Sequence, residues 1–154
     1  MLDENPGDVA RRKTARELRS HTFGSLSVGM RYASTRTVSE ADVVAFADLS
    51  GDHNPLHLDE DFAAKTRFGG RIVHGMFTAS LLSAALGTRL PGTGSIYLSQ
   101  SLNFRRPVRI GDTVTVVIEV VELIEKGARC RLSTTALVDG EVVMDGEALA
   151  KVPV

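Results

Sequence analysis

Residues 75–86, which run Gly-Met-Phe-Thr-Ala-Ser-Leu-Leu-Ser-Ala-Ala-Leu, are apolar or small at almost every position. A helix of that composition has no charged face to give to water, so the rest of the chain has to enclose it. At roughly 1.5 Å per residue it spans somewhat under 20 Å. Gly87 marks its end, and Pro91-Gly92 confirms the break. Everything downstream reads as β: residues 95–104, 113–124, 128–138 and 141–152. Turn signals at 107–111, Lys126-Gly127 and Asp139-Gly140 separate them. Successive strands after a lone buried helix predict an α+β fold, with an antiparallel sheet wrapped around a central helix.

The upstream half serves this core. Val28-Gly29-Met30 predicts a turn and residues 31–37 a first strand. Ser39-Glu40-Ala41-Asp42 has the form of a capping box, with acids at the positive end of a helix. Val43, Val44, Phe46, Ala47 and Leu49 give that helix its apolar stripe, and Ser50-Gly51 stops it. Residues 58–64 predict a short helix, and 66–71, with Gly69-Gly70, a loop able to fold over a site. Residues 1–24 are polar and mixed in charge; they read as an extension outside the core, partly helical over 11–19, preceding a domain at 25–154.

A chain of 154 residues with 43% hydrophobic residues is expected to form one globular domain. Its 18 basic and 19 acidic residues leave no charge bias toward nucleic acid. The N-terminus lacks the apolar stretch of a secretory signal, and no segment suits a membrane span. The one cysteine, Cys130, falls in an alternating strand and rules out an intrachain disulfide framework, so a reducing, cytoplasmic setting is expected.

The chemistry concentrates in Leu49-Ser50-Gly51-Asp52-His53-Asn54-Pro55-Leu56-His57. Pro55 keeps Asn54 out of a helix, so Asp52 and His57 are expected on one fixed bend. Asp and Asn are common turn formers, and a lone His is often structural. A carboxylate and an imidazole together beside a glycine-led helix are better explained as an acid–base pair. Asn54 is expected to brace the bend through its amide. His74-Gly75 opens the apolar helix, whose first N–H groups lack intrahelical acceptors and suit a developing oxyanion. His74 is expected to orient this loop. A metal centre is not expected: His53 and His57 would share a face only in a helix, which Pro55 obstructs. Cys130 has no catalytic signature around it, and no Gly-x-Ser-x-Gly elbow occurs.

Asp52-His53-Asn54-Pro55-Leu56-His57, Ile72-Val73-His74-Gly75-Met76 and Gly94-Ser95-Ile96-Tyr97-Leu98 occur in this order. From about Val28 onward the chain resembles the (R)-specific enoyl-CoA hydratases of the MaoC-like group, which have the hotdog fold. The resemblance implies reversible syn addition of water across a trans-2-enoyl thioester. It implies that Asp52 and His57 activate one water and that the Gly75 backbone holds the thioester oxygen. No cofactor is implied, because the thioester itself activates the alkene; coenzyme A belongs to the substrate.

If the thioester sits at Gly75, helical spacing takes the acyl chain past Ala79 and Ser83, with Leu86 near its end. Arg105, Arg106 and Arg109 are expected to meet coenzyme A phosphates. A homodimer is expected, joined through the sheets, because one short sheet covers the long apolar helix incompletely. Rival readings are a 3-hydroxyacyl dehydratase acting on acyl carrier protein, a thioesterase, and a non-catalytic acyl-thioester-binding domain.

Overall fold

The computed structural model of the chain describes residues 18–154. In chain order its elements are β1 (Arg31–Thr37), α1 (Glu40–Ser50), α2 (Pro55–Leu58), α3 (Glu60–Ala64), α4 (Gly75–Thr88), β2 (Ile96–Gln100), β3 (Asn103–Phe104), β4 (Thr113–Ile124), β5 (Arg129–Val138) and β6 (Glu141–Lys151). The strands form one six-stranded antiparallel sheet in the order β1-β4-β5-β6-β2, with β3 also on β6. Asp139 and Gly140 both take positive φ in the β5–β6 hairpin, the backbone that two-residue turn requires.

Period-two alternation decides what faces the helix. Val114, Val116, Ile118 and Val120 of β4 are buried, as are Cys130, Leu132 and Ala136 of β5. Phe77, Leu82, Ala85 and Leu86 of α4 meet them in one core. Each large apolar side chain sealed there contributes about 1.5–3 kcal/mol relative to exposure. α4 is nevertheless not enclosed on every side. Met76 is 57% exposed, and Ser80, Ser83 and Ala84 face outward, because a single curved sheet covers only one side of a helix.

Three further expectations need correction. α4 runs through Gly87 to Thr88, since Gly87 is an exposed helical position that collides with nothing. The segment 95–104 is two strands, not one. It shifts register between Tyr97 and Ser99 and bends at Ser101, whose carbonyl passes 1.9 Å from where a Cβ on Gly146 would stand. Residues 19–23 are not outside the domain. Arg19, His21 and Phe23 donate backbone hydrogen bonds to Thr88, Pro91 and Pro153, and Thr93 donates to Arg19. The helix expected over 11–19 lies largely outside the described residues. No helix among the described residues is long and apolar enough to cross a membrane.

Candidate active site

α1 delivers the chain to the site. The Ser39 hydroxyl accepts from the Asp42 N–H at 3.1 Å while the Asp42 carboxylate accepts from the Ser39 N–H at 3.0 Å, the reciprocal cap that its sequence predicts. Gly51 ends α1 at φ 81°, a left-handed conformation natural to glycine. Polar side chains then fix the bend. The Ser50 hydroxyl accepts from the Asp52 N–H, and the Asp52 carboxylate accepts from the Asn54 N–H, both at 3.2 Å. Asn54 Oδ1 accepts from the Leu56 N–H at 3.0 Å.

Pro55 keeps Asn54 out of a helix, at ψ 124°, as expected, but the chain turns helical directly after it. The proline occupies the first position of α2, where its missing N–H costs nothing, and so starts a single helical turn that carries His57 inward. His53 points outward to Asp48, 3.1 Å away, as a side chain apart from the site.

The second motif grips the first. The His57 Nδ1–H donates to the Ile72 carbonyl at 2.8 Å. That bond places the neutral lone pair on Nε2, which lies 3.9 Å from Asp52 Oδ2. Arg71 donates to the His57 carbonyl at 2.6 Å and clamps Glu40 of α1 through two 2.9 Å contacts. His57 is 8% exposed, whereas the Asp52 side chain is 51% exposed. Burial holds the His57 imidazole below its ordinary pKa, against the opposing pull of the Ile72 hydrogen bond. A charge on His74 or Arg71 pushes in the same direction as burial, and Asp52 pushes against it.

Gly75 opens α4 directly beneath Phe104. A Cβ on Gly75 would stand 2.6 Å from the Phe104 ring, so any larger residue has to displace that ring. The Phe77 N–H already donates to the His74 carbonyl, so the first-turn donors of α4 left for a ligand are the N–H groups of Gly75 and Met76. Asp52, His57 and Gly75 line one cleft of about 420 Å³, whose apolar walls include Phe68, Met76 and Phe104.

Arg105 and Arg106 reach this cleft, each already ion-paired, with Asp145 at 2.9 Å and Glu141 at 3.0 Å. Arg109 does not face it as a phosphate ligand. Its guanidinium donates to the carbonyls of Phe68, Gly70 and Arg71, stapling the 66–71 loop. Arg67 lies over the Phe68 ring at 4.8 Å and also lines the cleft; the sequence reading missed it because an arginine within a Gly-rich loop has no periodicity to reveal it.

Ala79 and Ser83 line a separate, mostly apolar groove of about 490 Å³. Met76 borders both openings. Leu86 is 1% exposed, belongs to the core, and lines neither opening.

Asp52, His57 and His74 each bring one possible metal-ligand atom within 4.8 Å of the others, a trio that the sequence reading did not foresee. The two imidazoles are stacked, with centroids 3.9 Å apart, which sets their in-plane lone pairs side by side rather than converging on one ion. His57 Nδ1 and His74 Nε2 are both committed to backbone carbonyls. The arrangement suits acid–base work on a small molecule in the cleft.

A curved antiparallel sheet around one long helix, with a polar bend aimed at the helix N-terminus, is the hotdog fold in its hydratase and dehydratase form. The family profile described as "MaoC like domain" matches residues 25–142, and the chain belongs to that family. It is 58% identical over 137 residues to a 3-hydroxybutyryl-CoA dehydratase of Methylorubrum extorquens, covering 89% of this chain and 87% of that protein. It is 47% identical over 140 residues to an (R)-specific enoyl-CoA hydratase of Rhodospirillum rubrum, covering 91% and 97%. The solved (R)-hydratase from A. caviae superposes with a TM-score of 0.81 at 49% identity, over 84% of this chain and 98% of that one.

Proposed function

We propose that the protein is an enoyl-CoA hydratase, a hydro-lyase that reversibly adds water to trans-2-enoyl-CoA and gives the (R)-3-hydroxyacyl thioester. The observation that carries this reading is a pair of hydrogen-bond acceptors, Asp52 Oδ2 and His57 Nε2, 3.9 Å apart beside a helix N-terminus. A water oxygen about 2.8 Å from each bridges that gap and donates one O–H to each. The thioester carbonyl faces the Gly75 N–H, where it gathers charge as the water oxygen bonds to the β-carbon. The resulting enolate takes a proton at the α-carbon from the Asp52–His57 pair, which acts as one coupled unit. Every atom of the water ends in the product, so the pair finishes the cycle in its starting state and the chemistry calls for no cofactor.

The acyl chain passes Met76 into the groove beside Ala79 and Ser83. Leu86 is sealed in the core and makes no contact with the acyl chain. The name of the 58% identical relative favours a short chain such as a four-carbon acyl group. Arg67, Arg105 and Arg106 at the mouth supply positive charge toward a carrier's phosphates. The working state is a homodimer in a cytoplasmic setting, where coenzyme A thioesters are at hand.

The test is incubation with crotonyl-CoA, following the enoyl absorbance and free thiol together. Loss of enoyl without thiol release supports the reading. Thiol release points to a thioesterase, and no change to a binding domain. Crotonyl-acyl carrier protein as a parallel substrate decides between the two carriers.

A further inference from the structure

The His74 side chain is 1% exposed, and its Nδ1 is buried without a hydrogen-bond partner. An apolar ring of similar size would fill this place without that penalty. The imidazole does one thing an apolar ring would not: its Nε2–H donates to the Asp52 backbone carbonyl at 2.9 Å. The two residues are 22 positions apart, so this bond ties the Asp52 bend to the entrance of α4.

The ring itself is held on both sides. It stacks on His57 with centroids 3.9 Å apart, and Phe46 of α1 packs against it at 5.0 Å. His74 is also the residue immediately before Gly75. One side chain therefore touches the carboxylate's backbone, the imidazole's face and the start of the oxyanion helix.

We infer that His74 is a positioning residue: its Nε2–H, through the Asp52 carbonyl, sets the Asp52 carboxylate at its working distance from His57 and in register with Gly75. It is not a proton relay. Nε2 faces a backbone carbonyl, and Nδ1 is buried without a hydrogen-bond partner among the described residues, so no polar group stands ready to pass a proton through the ring. The charged groups around the two rings are Asp52 on the bend, the Arg71–Glu40 clamp behind His57, and the Asp48–His53 pair outside the bend.

The inference rests on the Asp52–His57 reading, so the experiment includes a control for it. His74→Phe, His74→Gln and Asp52→Asn are compared with wild type on crotonyl-CoA, with thermal melting of each. Phe keeps an aromatic ring against His57 and Phe46 but has no N–H. Gln loses the stack but places an N–H near the Nε2 position. His74→Phe is expected to lower kcat on the order of 10–100-fold, because small misplacements of a reacting group have effects of that size. KM is expected to stay within about threefold, since His74 shows only 1% of its surface to the cleft and the walls at Phe68, Met76 and Phe104 are unchanged. His74→Gln is expected to recover most of the lost kcat.

Wild-type kcat in a folded His74→Phe overturns the inference, as does a folded His74→Gln no more active than His74→Phe. If His74→Phe does not fold, His74→Asn replaces it, with an amide too short to reach the carbonyl; equal kcat for Gln and Asn then overturns the inference. An active Asp52→Asn refutes the acid–base pair itself, which is a different failure from an inactive Asp52→Asn beside an unimpaired His74→Phe.

Discussion

Asp52→Asn and His57→Gln roughly keep the size of each side chain while removing its ability to take up and return a proton. Each is expected to lower hydration by about 10²–10⁴-fold, the usual weight of a positioned acid or base. The double variant should be scarcely worse than either single, because both residues serve one step. Melting temperatures should change little for Asp52→Asn, whose side chain is half exposed. Near wild-type turnover in either single variant would remove the basis for the pair. The same residues set a pH dependence. Burial lowers the folded-state pKa of His57 below its unfolded value of about 6.5. Between those two values the unfolded chain binds more protons than the folded one, so stability rises with pH. The contribution of neutral His57 is therefore complete above about 6.5 and is lost as pH falls through the folded pKa. An NMR titration of the His57 ring is expected to give a midpoint below about 6.5; a midpoint above it contradicts the desolvated placement.

At the scale of elements, α4 links the two halves of the site. Gly75→Ala leaves the N–H in place but drives a methyl to 2.6 Å from the Phe104 ring. The ring, which is more than half exposed, has to move, and the cleft wall moves with it. Turnover should fall, and adding Phe104→Ala should restore room and recover part of it; a fully active Gly75→Ala single variant would show that the contact is slack. One face further along, Ser83→Phe is expected to fill the groove and narrow activity to the shortest enoyl thioesters, measured over a chain-length series. Leu86→Ala should lower stability by about 2–5 kcal/mol, because Leu86 is sealed in the core. What could be read from the sequence here was whatever rests on local chemistry. Ser39 with Asp42, Gly51, Asn54 and Asp139-Gly140 each satisfy their own backbone within a few residues. Long-range ties left no such trace. Arg109 reaches back to Phe68 and Gly70, Arg71 reaches Glu40, and Gly146 makes room for the Ser101 carbonyl. The effect of Pro55 on Asn54 was legible but the helical turn after it was not, because a proline that keeps the preceding residue extended also suits the first position of a helix.

For the whole molecule, the apolar core was legible as a pattern, and so was its incomplete cover by one sheet, but not which residues stay open. Uniform apolarity in α4 signals burial without saying what does the burying, and one sheet covers only part of it. Met76 is 57% exposed beside β2, where Ile96 is 55% and Leu98 is 47% exposed. β2 is also the last strand of its sheet, so its outer backbone groups are unpaired within the described residues. A second copy pairing along β2 would satisfy that edge and cover the groove beside Ala79 and Ser83. Such a homodimer would matter for catalysis, since the acyl chain would otherwise lie against water. Leu98→Lys places a charge on that edge without touching Asp52, His57 or Gly75. It is expected to yield a monomer at micromolar concentration by light scattering, with a raised KM for enoyl thioesters of four carbons or more. A Leu98→Lys protein that stays dimeric would move the interface elsewhere. A monomeric form with unaltered KM and kcat would show that one chain completes the acyl groove alone.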